Sequence, residues 1–352
     1  MRFGPAGVYT GLVRSKDLEK LRGARKAAMP DFLAPQLATL VKTPPTDDGW
    51  LHELKFDGYR MLCHLAAGKV RFWSRNQKDW TSKFPGVAKA IKSIKATNAI
   101  LDGEMVMMDS RGRSSFQKLQ QSMSRGGAGF VFEAFDLIYL DGYDLTRVAL
   151  RERKHLLSDL ISGSAHAEIQ YSDHQDGDGA IFFKHACQYG LEGIISKRAD
   201  SPYESSRSRN WLKIKCSKRQ EFVIAGYTPS SKGLPGFGSL ILGVYEKGKL
   251  VYAGRVGTGF SLKQRAEIGK KLDRIARASP AFAVRPRASG LSEARWTEPR
   301  LVAEVEFTEW TSDGSIRHPS FQGFREDKKP AEVRRELPQD SPPATKKPKS
   351  RR

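Results

Sequence analysis

Glu53-Leu54-Lys55-Phe56-Asp57-Gly58-Tyr59-Arg60 is a lysine inside an apolar, strand-like run, followed at once by Asp-Gly and then by arginine. Lysine is rarely buried without a partner. Yet Lys55 follows Trp50-Leu51-His52-Glu53-Leu54 and precedes an aromatic residue. In a partly desolvated pocket near other cations, part of such a side chain is uncharged amine, a nucleophile able to form a covalent intermediate. The plain alternative is a solvated lysine at the end of a hairpin strand, the ordinary fate of most of the 60 Lys and Arg residues. The rest of the chain decides between the two.

The 352 residues suggest two domains, and 39% hydrophobic residues are enough for real cores. The net charge is +21. Residues 1–30 and 341–352 each carry +5, so the remainder is basic in its own right. A polyanion partner follows, either nucleic acid or an acidic membrane surface. There is no run of about 18 apolar residues and no apolar leader, so nucleic acid is the stronger reading and no membrane partner is expected. Cys63, Cys187 and Cys216 are far apart with no C-x-x-C pair. That spacing points to a reducing compartment, and each is expected to pack as a small hydrophobe.

Along the chain, residues 1–30 read as a basic N-terminal arm. Trp50 to Leu65 reads as one strand bent at Asp57-Gly58, and Lys69–Arg75 as its return. Further strands are expected over Ala99–Met108, Phe130–Leu140, Leu191–Arg198 and Trp211–Cys216, with helices over Pro85–Ile94, Arg151–Ile161 and Gly179–Tyr189. From Glu221 on, strands and turns dominate around one helix, Leu262–Ala278, as a small OB-fold barrel requires. The expected fold class is α+β: a domain over 31–218 of antiparallel sheets flanked by helices, then an OB-fold domain over 219–330. Residues 331–352 are expected to be a basic, disordered tail.

Strand residues i and i+2 share a face. Glu53 pairs with Lys55 in this sense, Asp102 with Glu104, and Lys213 with Lys215, each opposite an apolar face. With Glu192 they read as the walls of a charged cleft. Arg60, Arg75, Lys213 and Lys215 suit nucleotide phosphates. Glu104 and Glu192 suit Mg²⁺ held jointly with phosphate oxygens. Phe135 suits a stacked base. Together these fit an amine attacking an α-phosphate, where catalysis is mainly positioning and charge neutralisation.

Lys55-Phe56-Asp57-Gly58-Tyr59-Arg60 resembles the K-x-D-G-x-R motif of the covalent nucleotidyltransferases: ATP-dependent DNA ligases, RNA ligases and mRNA capping enzymes. Ser74-Arg75-Asn76, Asp102-Gly103-Glu104, Phe135-Asp136-Leu137, Leu191-Glu192-Gly193 and Trp211-Leu212-Lys213-Ile214-Lys215 resemble the later motifs, in the family's order. Arg325-Glu326-Asp327-Lys328 resembles the C-terminal R-x-D-K. That stretch, with Glu309-Trp310-Thr311, is most similar to the ligase module of bacterial end-joining ligases of the LigD type. The resemblance spans residues 30–330 and implies an adenylation domain followed by an OB-fold. It implies that Lys55 takes AMP from ATP and that the AMP passes to a DNA 5′-phosphate before a 3′-hydroxyl seals the strand.

By motif position, Glu53 would meet the adenine, Arg60 and Glu104 the ribose, and Phe135 the base. Arg75 and Arg209 would meet nucleotide or 5′-phosphate, and Lys213 and Lys215 the α-phosphate. Glu104 and Glu192 would hold Mg²⁺, with Mn²⁺ an acceptable substitute. Arg325, Asp327 and Lys328 would act in the first step, with a hinge near 216–221. The resemblance further implies a monomer acting on nicked or broken duplex DNA, in the bacterial cytoplasm at the nucleoid, with a Ku-type end-binding partner. Gln77 departs from the family, since many relatives have glycine there. An RNA ligase or a GTP-using capping enzyme is the alternative within the superfamily. A catalytically dead binding scaffold is the alternative outside it.

Overall fold

The computed structural model describes residues 18–162, 166–230, 233 and 235–342. The chain divides into two compact units, residues 1–216 with 338–352, and residues 217–337. Residues 1–17 of the expected arm and 343–352 of the expected tail lie outside the described residues.

The first unit holds two sheets. Its strands are β1 (Arg25–Lys26), β2 (Leu37–Leu40), β3 (Trp50–Leu54), β4 (Tyr59–Ala66), β5 (Lys69–Ser74), β6 (Asn98–Met107), β7 (Phe130–Leu140), β8 (Tyr143–Asp144), β9 (Ile169–Tyr171), β10 (Gln175–Asp176), β11 (Gly193–Arg198) and β12 (Arg207–Lys215). Its helices are α1 (Pro85–Ile91), α2 (Phe116–Ser124), α3 (Leu150–Ser162) and α4 (Gly179–Gln188). The larger sheet runs β1-β8-β7-β6-β4-β5, with β9 beside β7. The smaller runs β10-β3-β11-β12-β2. Most pairs are antiparallel, while β9 joins β7 and β2 joins β12 in parallel.

Alternation sorts each strand's side chains. On β6, Leu101 and Met105 go to one face with Phe132, Ala134, Phe72 and Leu157 of α3, forming the principal core. The opposite face of the larger sheet packs Leu62, Ile100 and Ile138 against Trp211 of β12, so the two sheets face each other. Leu212 and Ile214, on the far side of β12, meet Ala186, Phe182 and Phe183 of α4. Each such large apolar side chain contributes roughly 2 kcal/mol when removed from water.

The expected bent strand over Trp50–Leu65 is in fact two strands in two sheets. β3 belongs to the smaller sheet and β4 to the larger. Residues 55–58 are the crossing between them. The turn requires glycine, because a Cβ at Gly58 would lie 2.1 Å from the Met105 carbonyl oxygen. Asp57 anchors the crossing: its backbone N–H donates to Ser114 Oγ, and its carboxylate accepts from the Phe116 N–H at the start of α2.

Other boundaries shift as well. The expected arm is part of the fold from Leu18, which is buried in the principal core, and β1 pairs with β8. The expected disordered tail is ordered to residue 342. Gln339 bridges Val41 in parallel, extending the smaller sheet beyond its edge, and Gln339 N–H donates to the Leu40 carbonyl. The chain therefore passes between units twice, at 216/217 and 337/338. The cysteine expectation holds for Cys63, which is buried and free, and fails for the other two. Cys187 and Cys216 are disulfide-bonded with their Cα atoms 5.2 Å apart. Packing of α4 on the smaller sheet brings together residues 29 apart, which neighbour spacing could not show.

The second unit comprises β13 (Lys218–Thr228), β14 (Ser239–Glu246), β15 (Lys249–Val256), α5 (Leu262–Asp273), β16 (Ala276–Arg277), β17 (Arg295–Phe307), β18 (Glu309–Trp310), β19 (Ile316–Arg317) and β20 (Ser320–Phe324). Its sheet runs β15-β14-β13-β17-β16 with β20 also on β17, beside a β18–β19 hairpin, all around one apolar core. This is the OB-fold-type domain expected. Ser261 caps α5 with a reciprocal capping box to Gln264. No described helix is long and apolar enough to cross a membrane.

Candidate active site

Cross-strand register builds the site. On the smaller sheet, Glu53, Ile195 and Lys213 lie in one row across β3, β11 and β12. Two residues along, Lys55 N–H donates to the Gly193 carbonyl, and Gly193 stands opposite Lys215. On the larger sheet, Arg60, Glu104 and Glu133 form a row across β4, β6 and β7. These rows lie on the facing sides of the two sheets.

Lys55 Nζ lies 2.5 Å from Glu192 Oε1, with the lysine side chain 21% exposed and the glutamate 6%. The expected wall of cations is therefore not what the amine meets first; it meets a carboxylate. Glu192 sits in the turn just before β11. That turn depends on Gly193, at φ +151°, where a Cβ would come within 2.0 Å of the Ile214 carbonyl oxygen. Glu192 Oε2 is buried with no hydrogen-bond partner among the described residues. A buried carboxylate oxygen left unpaired is costly. Such an oxygen suits Mg²⁺, which takes one or two carboxylates and completes its shell with phosphate oxygens and water.

Glu53 is buried between two lysines. Its Oε1 lies 2.8 Å from Lys154 Nζ, and its Oε2 lies 2.8 Å from Lys197 Nζ. Burial works against its ionisation, but the two ammoniums more than offset this and hold the carboxyl below its usual range. Burial pulls Lys197 down to about 8, Lys154 adds to that, and Glu53 resists it. Lys197 Nζ lies 4.4 Å from the Phe135 ring centre and 4.3 Å from that of Trp211. The Arg60 guanidinium stands 5.2 and 5.3 Å from the same rings. Phe135 and Trp211 thus form an aromatic floor flanked by cations.

Arg60 is committed to a bidentate ion pair with Asp102, which also accepts from Tyr203 Oη. Burial disfavours its charge, but Asp102 outweighs that and raises Arg60 above its ordinary value. Beneath the floor, Arg153 donates two bonds to the buried Asp136 carboxylate. Burial alone pushes the Glu133 carboxyl up to about 7.

Arg75 begins the turn after β5, whose third residue, Gln77, has φ +57°. That backbone favours glycine. Arg209 is exposed and donates to Gln339 Oε1 and the Asp340 carbonyl. Arg325, Asp327 and Lys328 belong to the second unit. Arg325 pairs bidentately with Asp327 and also reaches Glu304, while Lys328 pairs with Glu221.

Sequence reasoning missed Lys154, Lys197, Trp211 and Tyr203. Two of them had a readable signal. Lys154 falls between Leu150 and Leu157 on the apolar stripe of α3, and Lys197 continues the apolar run Ile194-Ile195.

Residues 33–215 match the model of the ATP dependent DNA ligase domain, and residues 234–328 that of the ATP dependent DNA ligase C terminal region. The chain is 40% identical over 322 residues to the multifunctional non-homologous end joining protein LigD of Pseudomonas aeruginosa, covering 90% of this chain and 38% of that protein. It is 38% identical over 310 residues to the protein of the same name from Mycobacterium bovis, covering 87% of this chain and 40% of that one. The chain therefore spans about two-fifths of the length of these relatives. Among solved structures, a mycobacterial DNA ligase D complexed with ATP and MES is 37% identical with a TM-score of 0.65, covering 86% of this chain and 98% of that one.

Proposed function

Since the chain belongs to the ATP-dependent DNA ligase family, we propose that it seals breaks in duplex DNA between 3′-hydroxyl and 5′-phosphate ends, with Lys55 as the adenylated nucleophile. The observation that carries this is the Lys55 amine on the inter-sheet crossing, 2.5 Å from Glu192 and on the same face as Lys213 and Lys215.

The Lys55 nitrogen attacks the α-phosphorus of ATP. A P–N bond forms, the bond to pyrophosphate breaks, and the amine must lose its protons. The Glu192 carboxylate is placed to receive one. Lys213 and Lys215 neutralise charge on the α-phosphate. Phe135 offers a stacking surface for the adenine, and Glu53, fixed by two lysines, offers its edge an oriented carboxylate. Glu104 and Arg60 face the ribose. Mg²⁺, when bound by Glu104 and Glu192, would supply charge neutralisation at the phosphates. An oxygen of the DNA 5′-phosphate then takes the AMP from Lys55, and the 3′-hydroxyl displaces AMP to close the strand. Arg75 and Arg209 serve the 5′-phosphate. Arg325, Asp327 and Lys328 of the second unit serve the first step by orienting pyrophosphate.

The name of the LigD relatives supports a role in end joining. A Ku-type end-binding partner, a monomeric state and a cytoplasmic, nucleoid-associated location belong to the same proposal. Incubation with Mg²⁺ and α-labelled ATP or GTP tests it. Label from ATP is expected on the protein, stable in alkali and labile in acid as a P–N bond is, and lost in Lys55→Ala, with sealing of nicked DNA. Label from GTP alone, or none at all, overturns it.

A further inference from the structure

The three cysteines fall into two chemical classes. Cys63 is fully buried, and burial pushes its thiol above the ordinary range, so it is shielded and poorly reactive. Cys187 and Cys216 are partly exposed and joined.

Their position bears on the site. Cys187 is in the last turn of α4. Cys216 follows Lys215 directly and is the last residue before the chain enters the second unit. Between them lie Glu192 just before β11, Lys197 on β11, and Arg209, Lys213 and Lys215 on β12. The Cys216 N–H also donates to the Glu192 carbonyl at 2.9 Å, and the Leu191 N–H to Ala186 in α4. The bridge thus fastens the end of the lysine-bearing strand to the helix beneath it, where the chain leaves the unit. Disulfides in proteins that work inside cells on DNA are mostly transient and regulatory, and a partly exposed bridge is open to small thiols.

We propose that Cys187 and Cys216 form a reversible thiol–disulfide site that restrains the chain at the 216/217 crossing and slows the ligation cycle when oxidised. This rests on the ligase reading given above. In the forward step the two thiols give up two protons and two electrons to a small-molecule disulfide such as oxidised glutathione. A mixed disulfide forms first, then the internal S–S bond, and two molecules of reduced glutathione leave. Excess reduced thiol reverses the step. A ligase passes from nucleotide transfer to strand sealing by moving its second unit. With residue 216 tied to α4, that motion must be absorbed from Ser217 onward. With the thiols free, residue 216 can share it.

The test uses the full chain, equilibrated with oxidised glutathione or dithiothreitol, then quenched and mapped by mass spectrometry. Steady-state nick sealing with ATP is measured on the same samples. A peptide linking Cys187 and Cys216 is expected only in the oxidised sample, with sealing roughly threefold or more slower than in the reduced one. Cys187→Ser and Cys216→Ser, measured separately, should both lose the redox response. Absence of the linked peptide overturns the proposal, as does equal sealing in both states or a redox response that survives in either variant. A chain that bridges reversibly but seals in neither state overturns the ligase reading, and the restraint of the cycle with it.

Discussion

Replacing Glu53 by glutamine keeps the shape of the side chain and removes the charge that two buried ammoniums share. Lys154 and Lys197 both lie 2.8 Å from this carboxylate and are almost wholly inaccessible. Removing one partner of a buried ion pair costs about 3–5 kcal/mol. The lower end applies here, because Lys197 already titrates near 8 and can shed its proton. The expected loss in Glu53→Gln is about 3 kcal/mol at pH 7.

The pH dependence carries the stronger test. In the unaltered protein Lys197 titrates near 8 instead of 10.5. The cost of burying its charge is therefore fully present below about 8 and relieved as pH rises toward 10.5. Without Glu53 its folded value falls further, so the folded variant loses that proton at a lower pH while the unfolded chain keeps it. Stability of the variant then climbs with pH by at most about 1.4 kcal/mol per unit. Its deficit narrows as pH rises toward 8 and is constant above. Urea unfolding of both proteins between pH 6 and 9 measures this directly. A deficit below about 1 kcal/mol, or one independent of pH, would show that the two lysines do not depend on this carboxylate.

Lys328→Ala should slow lysyl-AMP formation at least about tenfold while leaving sealing of pre-adenylated nicked DNA nearly unchanged; equal loss in both assays refutes its assignment to the first step. Gln77→Gly should raise stability by about 1 kcal/mol, read as a higher urea midpoint, because it relieves a left-handed backbone at φ +57°. Gly193→Ala should cost about 3 kcal/mol or more and lower labelling of the protein by ATP, since its Cβ would meet the Ile214 carbonyl and push β11 from β12, displacing Glu192; unchanged thermal unfolding would count against the close approach.

Much of this protein is legible in its residues. Alternation marked which side chains share a face, the strands and turns after Glu221 gave a small barrel, and the resemblance of the motifs around Lys55, Glu104, Phe135, Glu192, Lys213 and Lys215 implied the adenylation domain. Local periodicity reports a strand's two faces because the pleat has period two. It does not report which sheet a strand joins, so the crossing at residues 55–58 read as a bend within one strand. The partners of a charge are equally hidden when they come from far along the chain. Glu53 finds Lys154 on a helix and Lys197 on another strand, Lys55 finds Glu192 in a distant turn, and Cys187 reaches Cys216 only because α4 packs on the smaller sheet. The sequence by itself determined the chemistry the chain carries and the order in which it is strung. The tertiary structure alone decided which ionic groups are buried together, because burial and pairing depend on contacts between segments that share no local pattern.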